Sequence, residues 1–322
     1  MRPTGKLHLG HLVGALKNWT ELQEKYDCFY FIADWHALTS EYADTTELVE
    51  TTYDNVADWI AAGLDPERST LFIQSLVPEH AELYLLLSMV VPIPWLERVP
   101  TYKEQREELS DRDLSTIGFL GYPLLQAADI IVYDGQFVPV GEDQVPHLEL
   151  SREVVRRFHT FYGQVFVEPQ PLLTHFPRLP GLDNRKMSKS YDNSIDLSDD
   201  AETVRKKVMR MYTDPKRIRA DIPGTVEGNP VFLYHDAFNA DTAEVEDLKA
   251  RYRAGKVGDV EVKTRLAKAL NAVLDPMRER RRQALARPGW IREILFEGSK
   301  RARRAANETM ERVRGAMKVS YR

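Results

Sequence analysis

The sequence has one cysteine in 322 residues. Cys28 alone excludes an intramolecular disulfide and any multi-cysteine zinc site, and it fits a reducing cytosol. Long apolar runs are also missing. The uncharged stretch at residues 83–96 contains Pro92 and Pro94 and falls short of the roughly 20 residues that a spanning helix needs. No secretory apolar segment follows the opening residues. A soluble, cytoplasmic chain with no membrane partner is expected. There is no low-complexity tract, no internal repeat, no Walker-type phosphate loop and no Gly-x-Gly-x-x-Gly, so the common nucleotide folds do not compete. What is present is ordinary globular composition: 43% apolar and 29% charged residues. That excludes disorder, and the length suggests about two domains.

Charge is nearly balanced, with 44 basic and 49 acidic residues giving −5, but it is unevenly spread. Residues 278–322 carry fourteen Lys/Arg and five Asp/Glu, leaving that tail at +9 and the remainder at −14. A second basic cluster runs through Arg205, Lys206, Lys207, Arg210, Lys216, Arg217 and Arg219. Basic clusters on an acidic chain suggest a localised nucleic-acid contact. Solvated helix faces balancing the acids explain the same charges equally well.

Hydrophobic periodicity gives the organisation. Leu9, Leu12, Val13, Leu16 and Trp19 recur at helical spacing after a Pro-Thr-Gly turn. Residues 28–33 and 70–74 read as buried strands, with a helix over 46–62 ended by Gly63. Helix is predicted over 83–109, broken at Pro92 and Pro94, and again over 123–132. An extended segment at 137–140 and a long helix over 143–161 follow. Short apolar strands alternating with amphipathic helices point to a parallel sheet in an α/β domain. Past residue 190 the chain is charged, helix-rich and poor in strand formers. The expected division is therefore 1–190 and 191–322.

Two segments could carry chemistry. His8-Leu9-Gly10-His11 sits where a turn feeds a helix, whose free N–H groups and dipole favour an anion. Gly10, with no Cβ, lets a base or phosphate approach the backbone, and the imidazoles could donate to phosphate oxygens. A surface feature or half a metal site would look the same. Lys186-Met187-Ser188-Lys189-Ser190 follows a Gly- and Asp-bounded loop, and its two lysines could neutralise a departing pyrophosphate. Each segment alone is weak evidence. Their pairing across a sheet-forming region is not.

Together these segments resemble the two signatures of the class I aminoacyl-tRNA synthetases. Residues 33–39 (Ala-Asp-Trp-His-Ala-Leu-Thr), 71–75, 122–130 and 138–144 are similar to the tryptophan-specific members of that family, over nearly the whole length. The resemblance implies a Rossmann-like parallel-sheet catalytic domain over 1–190, binding ATP and tryptophan, and a helical anticodon-binding domain over 191–322. It implies that Arg2, Pro3, Thr4, Gly10 and His11 frame ATP. Gly141, Glu142 and Asp143 would hold the adenosine, and the backbone of Leu179 would meet adenine. Lys186, Met187, Ser188, Lys189 and Ser190 would contact the phosphates. His8, His11, Lys186 and Lys189 are the implied catalytic groups, with Mg²⁺ arriving on ATP. Asp129 would accept the indole N–H, with Tyr122, His36, Gln144, Val138 and Val140 shaping the pocket. The implied partners are L-tryptophan, tRNA(Trp) and a second copy of the chain, docked through residues 83–99.

Two departures from the family stand out. Asn184 replaces a frequent glycine, which asks little because Asn tolerates positive φ. Met1 stands almost on the Pro-Thr-Gly turn, so the strand that normally precedes it at the sheet's centre is absent. The expectation is a natural protein that extends upstream. Three rivals stay open. A tyrosine-specific synthetase could use Asp129 for a phenolic O–H, and Gln126 is shared with that subgroup. A small-molecule nucleotidyltransferase could use the His-x-Gly-His turn, and a non-catalytic paralogue could keep the fold.

Overall fold

The computed structural model describes residues 1–100, 102–104, 113–141, 144–173, 179–187 and 191–321. Four short strands form two parallel pairs among them. β1 (Cys28–Ile32) pairs with β2 (Ser69–Ile73), Cys28 opposite Ser69. β3 (Phe137–Val140) pairs with β4 (Gln170–Leu173), Phe137 opposite Gln170. The helices are α1 (Leu9–His11), continued through a π turn at Leu12–Leu16 into α2 (Lys17–Leu22), then α3 (Asp34–Glu41), α4 (Leu48–Ala62), α5 (Glu79–Ser88) and α6 (Ile93–Glu97). Next come α7 (Ile117–Ile131) and α8 (Val145–Tyr162). The second half contributes α9 (Ala201–Met209), α10 (Pro230–Phe238), α11 (Thr242–Arg253), α12 (Asp259–Leu285) and α13 (Pro288–Ala316).

Alternation along β1 builds two cores. Cys28, Tyr30 and Ile32 join an apolar cluster with Leu9, Leu16, Trp59 and the second-half residues Phe232 and Leu266. Phe29 and Phe31 point the other way, toward Phe72, Leu83, Leu124 and Phe158. A sheet covered on both faces is what parallel strands require. The first of these cores runs without a break across residue 190.

α13 closes the outer edge of β2. Its Ile291, Ile294 and Leu295 belong to one core, and its Ala302, Ala306, Met310 and Val313 to the other. The helix crosses the edge at Gly298, where an added Cβ would lie 1.8 Å from the Leu71 carbonyl oxygen. Only glycine allows that approach. Beside it the Ile73 N–H donates to Ser299 Oγ at 3.3 Å, supplying a partner that an edge strand otherwise lacks.

Between β1 and β3 no described residue forms a strand. Met1 alone lies along β1, its amine donating to the Phe31 carbonyl (2.6 Å) and its carbonyl accepting from Ala33 N–H (2.8 Å). Past Met1 an apolar trough of about 560 Å³ runs beside Tyr30, Phe31, Phe137 and Val138, with Asp129 in its wall.

Two expectations change. The apolar stretch 83–99 is largely core: Leu83, Leu87, Val91, Leu96 and Val99 are buried, leaving Leu85, Met89 and Ile93 exposed. The break at Pro92 is observed, and residues 105–109 lie outside the described ones. Arg217 leaves the basic cluster. It is buried, donates to the carbonyls of Ala220, Ile222 and Val257 at 2.7–2.9 Å, and stacks on Tyr252.

Candidate active site

The sharp turn into α1 is held by its own histidines. His8 Nδ1 accepts from the Gly10 N–H, and His11 Nδ1 accepts from the His8 N–H, both at 3.1 Å. This reciprocal pair is a capping box built from imidazoles. Because Nδ1 is the acceptor on each ring, a neutral ring carries its proton on Nε2. The rings lie 3.9 Å apart. Each neutral ring thus carries an N–H at a helix start, a donor type that phosphate oxygens accept from.

The second signature loop is brought to the same place. Leu9 N–H donates to the Ile195 carbonyl (3.0 Å), and Leu197 N–H to the Leu7 carbonyl (2.8 Å), zipping residues 195–197 against 7–9. A Cβ on Gly10 would meet the His8 ring at 2.9 Å and lie 3.2 Å from Met187 Sδ, so the loop packs directly against the turn. Asn193 staples the loop, its amide donating to Asp183 Oδ1 (2.8 Å) and the Lys186 carbonyl (3.1 Å). A Cβ on Gly181 would meet that amide at 2.2 Å. Burial opposes the Asp183 anion, but hydrogen bonds from Asn193 and from Arg185 outweigh it and bring the carboxyl down to about 2. Asn184 takes φ +66°, the left-handed conformation its side chain tolerates. Lys186 is exposed on this loop, and Leu179 packs against the core at its start.

The third cluster surrounds Asp129 on α7, 5% exposed. Its Oδ2 accepts from His36 Nε2 on α3 (2.8 Å) and from Gln74 Nε2 (3.0 Å), just past β2. Its Oδ1 accepts from Gln74 Nε2 (2.8 Å) and from His80 Nδ1 on α5 (2.6 Å). Burial alone would push this carboxyl up. The hydrogen bonds from His36, and then from His80, reverse that and bring it down to about 2. The result is a buried anion with fixed orientation.

The remaining implied residues are partly gathered. Pro3 is buried, Thr4 half-buried and Arg2 exposed on the turn before α1. Val138 shares the trough with Asp129. Tyr122 lies on α7 two turns before Asp129, packed on Phe119 and His147 (5.5 and 5.8 Å). Val140 at the end of β3, and Gly141 and Gln144 between β3 and α8, are half-buried. Glu142, Asp143, Ser188, Lys189 and Ser190 lie outside the described residues. Among the described residues no group of three His, Cys, Asp or Glu is placed to hold a metal. Sequence reasoning missed Gln74, His80 and Tyr133. Only Gln74 carried a signal, since it follows a strand's carboxyl end, where sites on open α/β sheets gather.

With this geometry in place, comparison with known proteins is informative. The family of class I tRNA synthetases for tryptophan and tyrosine (W and Y) matches residues 1–275. A Tryptophan--tRNA ligase of Thermotoga maritima is 50% identical over 322 residues, covering all of this chain and 98% of the relative. One of Treponema pallidum is 50% identical, covering all of this chain and 96% of the relative. The crystal structure of the Campylobacter jejuni tryptophanyl-tRNA synthetase complexed with ADP and tryptophan superposes with a TM-score of 0.88 at 33% identity, covering 98% of each chain. The chain therefore belongs to the class I tRNA synthetases for tryptophan and tyrosine, within their tryptophan--tRNA ligase branch.

Proposed function

We propose that the zipped turn and loop hold ATP, and that the Asp129 cluster selects tryptophan for an ATP-dependent tryptophan--tRNA ligase reaction. The observation carrying this reading is the junction of Gly10 with Met187, which places both signature segments on one surface. The tryptophan carboxylate attacks the α-phosphorus of ATP, forming tryptophanyl-adenylate and releasing pyrophosphate. That carboxylate is already a nucleophile, so the protein's task is positioning and charge stabilisation. His8 and His11 donate from the helix start, and Lys186 and Lys189 approach from the loop. Gly10 admits the nucleotide, with Arg2, Pro3 and Thr4 beside it. Gly141, Glu142, Asp143 and the Leu179 backbone take the adenosine, and Met187, Ser188 and Ser190 complete the phosphate wall. Mg²⁺ enters with ATP and adds charge neutralisation.

Tryptophan is placed at the carboxyl ends of the strands, where open α/β sheets bind ligands. Asp129 accepts the indole N–H, with His36, Tyr122, Val138, Val140 and Gln144 around the rings. That bond adds to the ones Asp129 accepts from His36, Gln74 and His80, and phenylalanine, which offers no donor, forgoes it. The adenylate then passes its acyl group to the terminal adenosine of tRNA(Trp). We assign anticodon binding to residues 191–322 and catalysis to 1–190, a division of labour inside one continuous core. The exposed Leu85, Met89 and Ile93 are the proposed centre of a homodimer contact in a cytoplasmic enzyme, and no helix among the described residues is long and apolar enough to cross a membrane.

The test is pyrophosphate exchange across the twenty amino acids. Tryptophan alone should support it. Asp129→Ala should lower kcat/KM for tryptophan by roughly 10²-fold or more, with ATP affinity little changed. Tyrosine-dependent exchange, or ordinary tryptophan kinetics in the variant, would refute the assignment.

A further inference from the structure

We infer that Tyr133 and His80 are positioning residues for tryptophan selection: Tyr133 fixes the His80 tautomer, and His80 fixes the plane of the carboxylate that receives the indole N–H. The inference rests on the reading of Asp129 just given.

A carboxylate can only accept, so His80 Nδ1, 2.6 Å from Asp129 Oδ1, must carry a proton. The other ring nitrogen, Nε2, lies 2.6 Å from the Tyr133 hydroxyl. Burial, and then the charges of Asp129 and Glu79, hold the Tyr133 phenol protonated well above the ordinary range. A phenol donating to Nε2 keeps the ring proton on Nδ1, the tautomer that the contact with Asp129 requires. A tautomer set by the hydrogen bond on the opposite nitrogen is a familiar device around metal-bound histidines. Here it is aimed at an anion.

His80 has no alternative partner in water. It is fully buried, with Phe31 and Phe72 packed on its ring at 5.7 and 6.1 Å. Without the Tyr133 hydroxyl, Nε2 keeps an unsatisfied buried lone pair, or the proton moves to Nε2 and the Nδ1 lone pair faces the carboxylate. Both outcomes weaken the hold on Oδ1. The torsion that turns a carboxylate plane is soft, and the donors from His36, Gln74 and His80 on its two oxygens set it. An indole N–H offered at a fixed angle is sensitive to that plane. Neither His80 nor Tyr133 need touch the reacting atoms.

The experiment compares tryptophan with its benzothienyl analogue, in which sulfur replaces the indole N–H, in exchange and inhibition assays. Variants are Asp129→Ala, Tyr133→Phe, His80→Leu and His80→Asn. Tyr133→Phe should raise the tryptophan KM by about 5- to 30-fold, leave kcat and the ATP KM within about twofold, and leave the analogue's Ki within about twofold. His80→Leu should follow the same pattern. His80→Asn, whose amide can stand near the Nδ1 position, should recover most of the affinity. Equal weakening of tryptophan and analogue in Tyr133→Phe, or an unchanged tryptophan KM, would overturn the inference; that conservative variant decides if His80→Leu does not fold. The Asp129 reading fails separately. It falls if Asp129→Ala keeps the preference for tryptophan over the analogue, whereas loss of preference there without loss in Tyr133→Phe overturns only the positioning role.

Discussion

Arg281 and Asp58 join α12 to α4, and removing one should cost far more than removing the other. Asp58 is 1% exposed. Its Oδ1 accepts from Arg281 Nε at 2.7 Å, while Nη2 of that guanidinium lies 2.6 Å from Asp54, one turn earlier. Burial pushes the Asp58 carboxyl up to about 6, the guanidinium only partly countering it. The folded state thus holds this proton more tightly than the unfolded chain, whose Asp titrates near 4. Stability falls as pH rises between about 4 and 6, and the cost, on the order of 3 kcal/mol, is fully present above that window. Arg281→Met leaves the buried anion alone and should lose about 3–5 kcal/mol at pH 7.5. Part of that loss should return at pH 5, where Asp58 can take a proton. Asp58→Asn removes the buried charge while Arg281 keeps Asp54, so its cost should be about 1 kcal/mol or less. Adding Asp58→Asn to Arg281→Met should therefore restore stability at pH 7.5. Urea denaturation followed by circular dichroism at both pH values measures all four proteins. Equal losses in the two single variants, or a pH-independent loss in Arg281→Met, would refute the reasoning.

Other substitutions probe the fold, the loop and the tRNA surface. Gly298→Ala drives a Cβ into the backbone of Leu71 and should destabilise by about 2 kcal/mol or more, read as a lowered Tm; an unchanged Tm would contradict the close crossing. Lys189→Ala should slow adenylate formation by about 10- to 1,000-fold with a smaller effect on tryptophan affinity, as single-turnover pyrophosphate release would register. Replacing Arg205, Lys206 and Arg210 by Glu should weaken tRNA binding and flatten its salt dependence while tRNA-independent exchange survives. Equal damage to both activities would assign those residues to the fold.

What the sequence made legible is local. Gly63 ends α4 at φ +116°, as a glycine after an apolar periodic run should. The strand at 28–32 and the break at Pro92 follow from short-range pattern, and the His-x-Gly-His turn could be picked out because its residues are neighbours. The Asp129 cluster could be read only in part. Its donors come from α3, the end of β2 and α5, positions 36, 74 and 80, and nothing in the spacing of a lone His80 separates a ligand-orienting imidazole from a packed one. The π turn at 12–16 was equally hidden, since its apolar spacing still reads as an ordinary helix.

The uneven charge shows the same limit from the opposite side. The +9 of residues 278–322 suggests a polyanion partner as readily as internal pairing, and composition cannot choose. In the fold Arg281 meets Asp54 and Asp58, Arg303 meets Glu79, Arg312 meets Asp134 and Arg314 meets Glu82. Four of the tail's fourteen basic residues are thus tied to acids in the first half of the chain. Arg303 and Arg312 are about half exposed, so such pairs contribute at most about 1 kcal/mol each. Their effect is one of register. The apolar side chains of α13 supply the burial energy, but apolar contact slides, and Gly298 must sit over Leu71 for the helix to cross the sheet edge at all. Arginines reaching Glu79 and Glu82 on α5 and Asp134 beyond α7 fix that crossing from both sides. Part of the tail's charge is therefore spent on the fold, while Arg287, Arg292, Arg304 and Lys318 stay exposed on it.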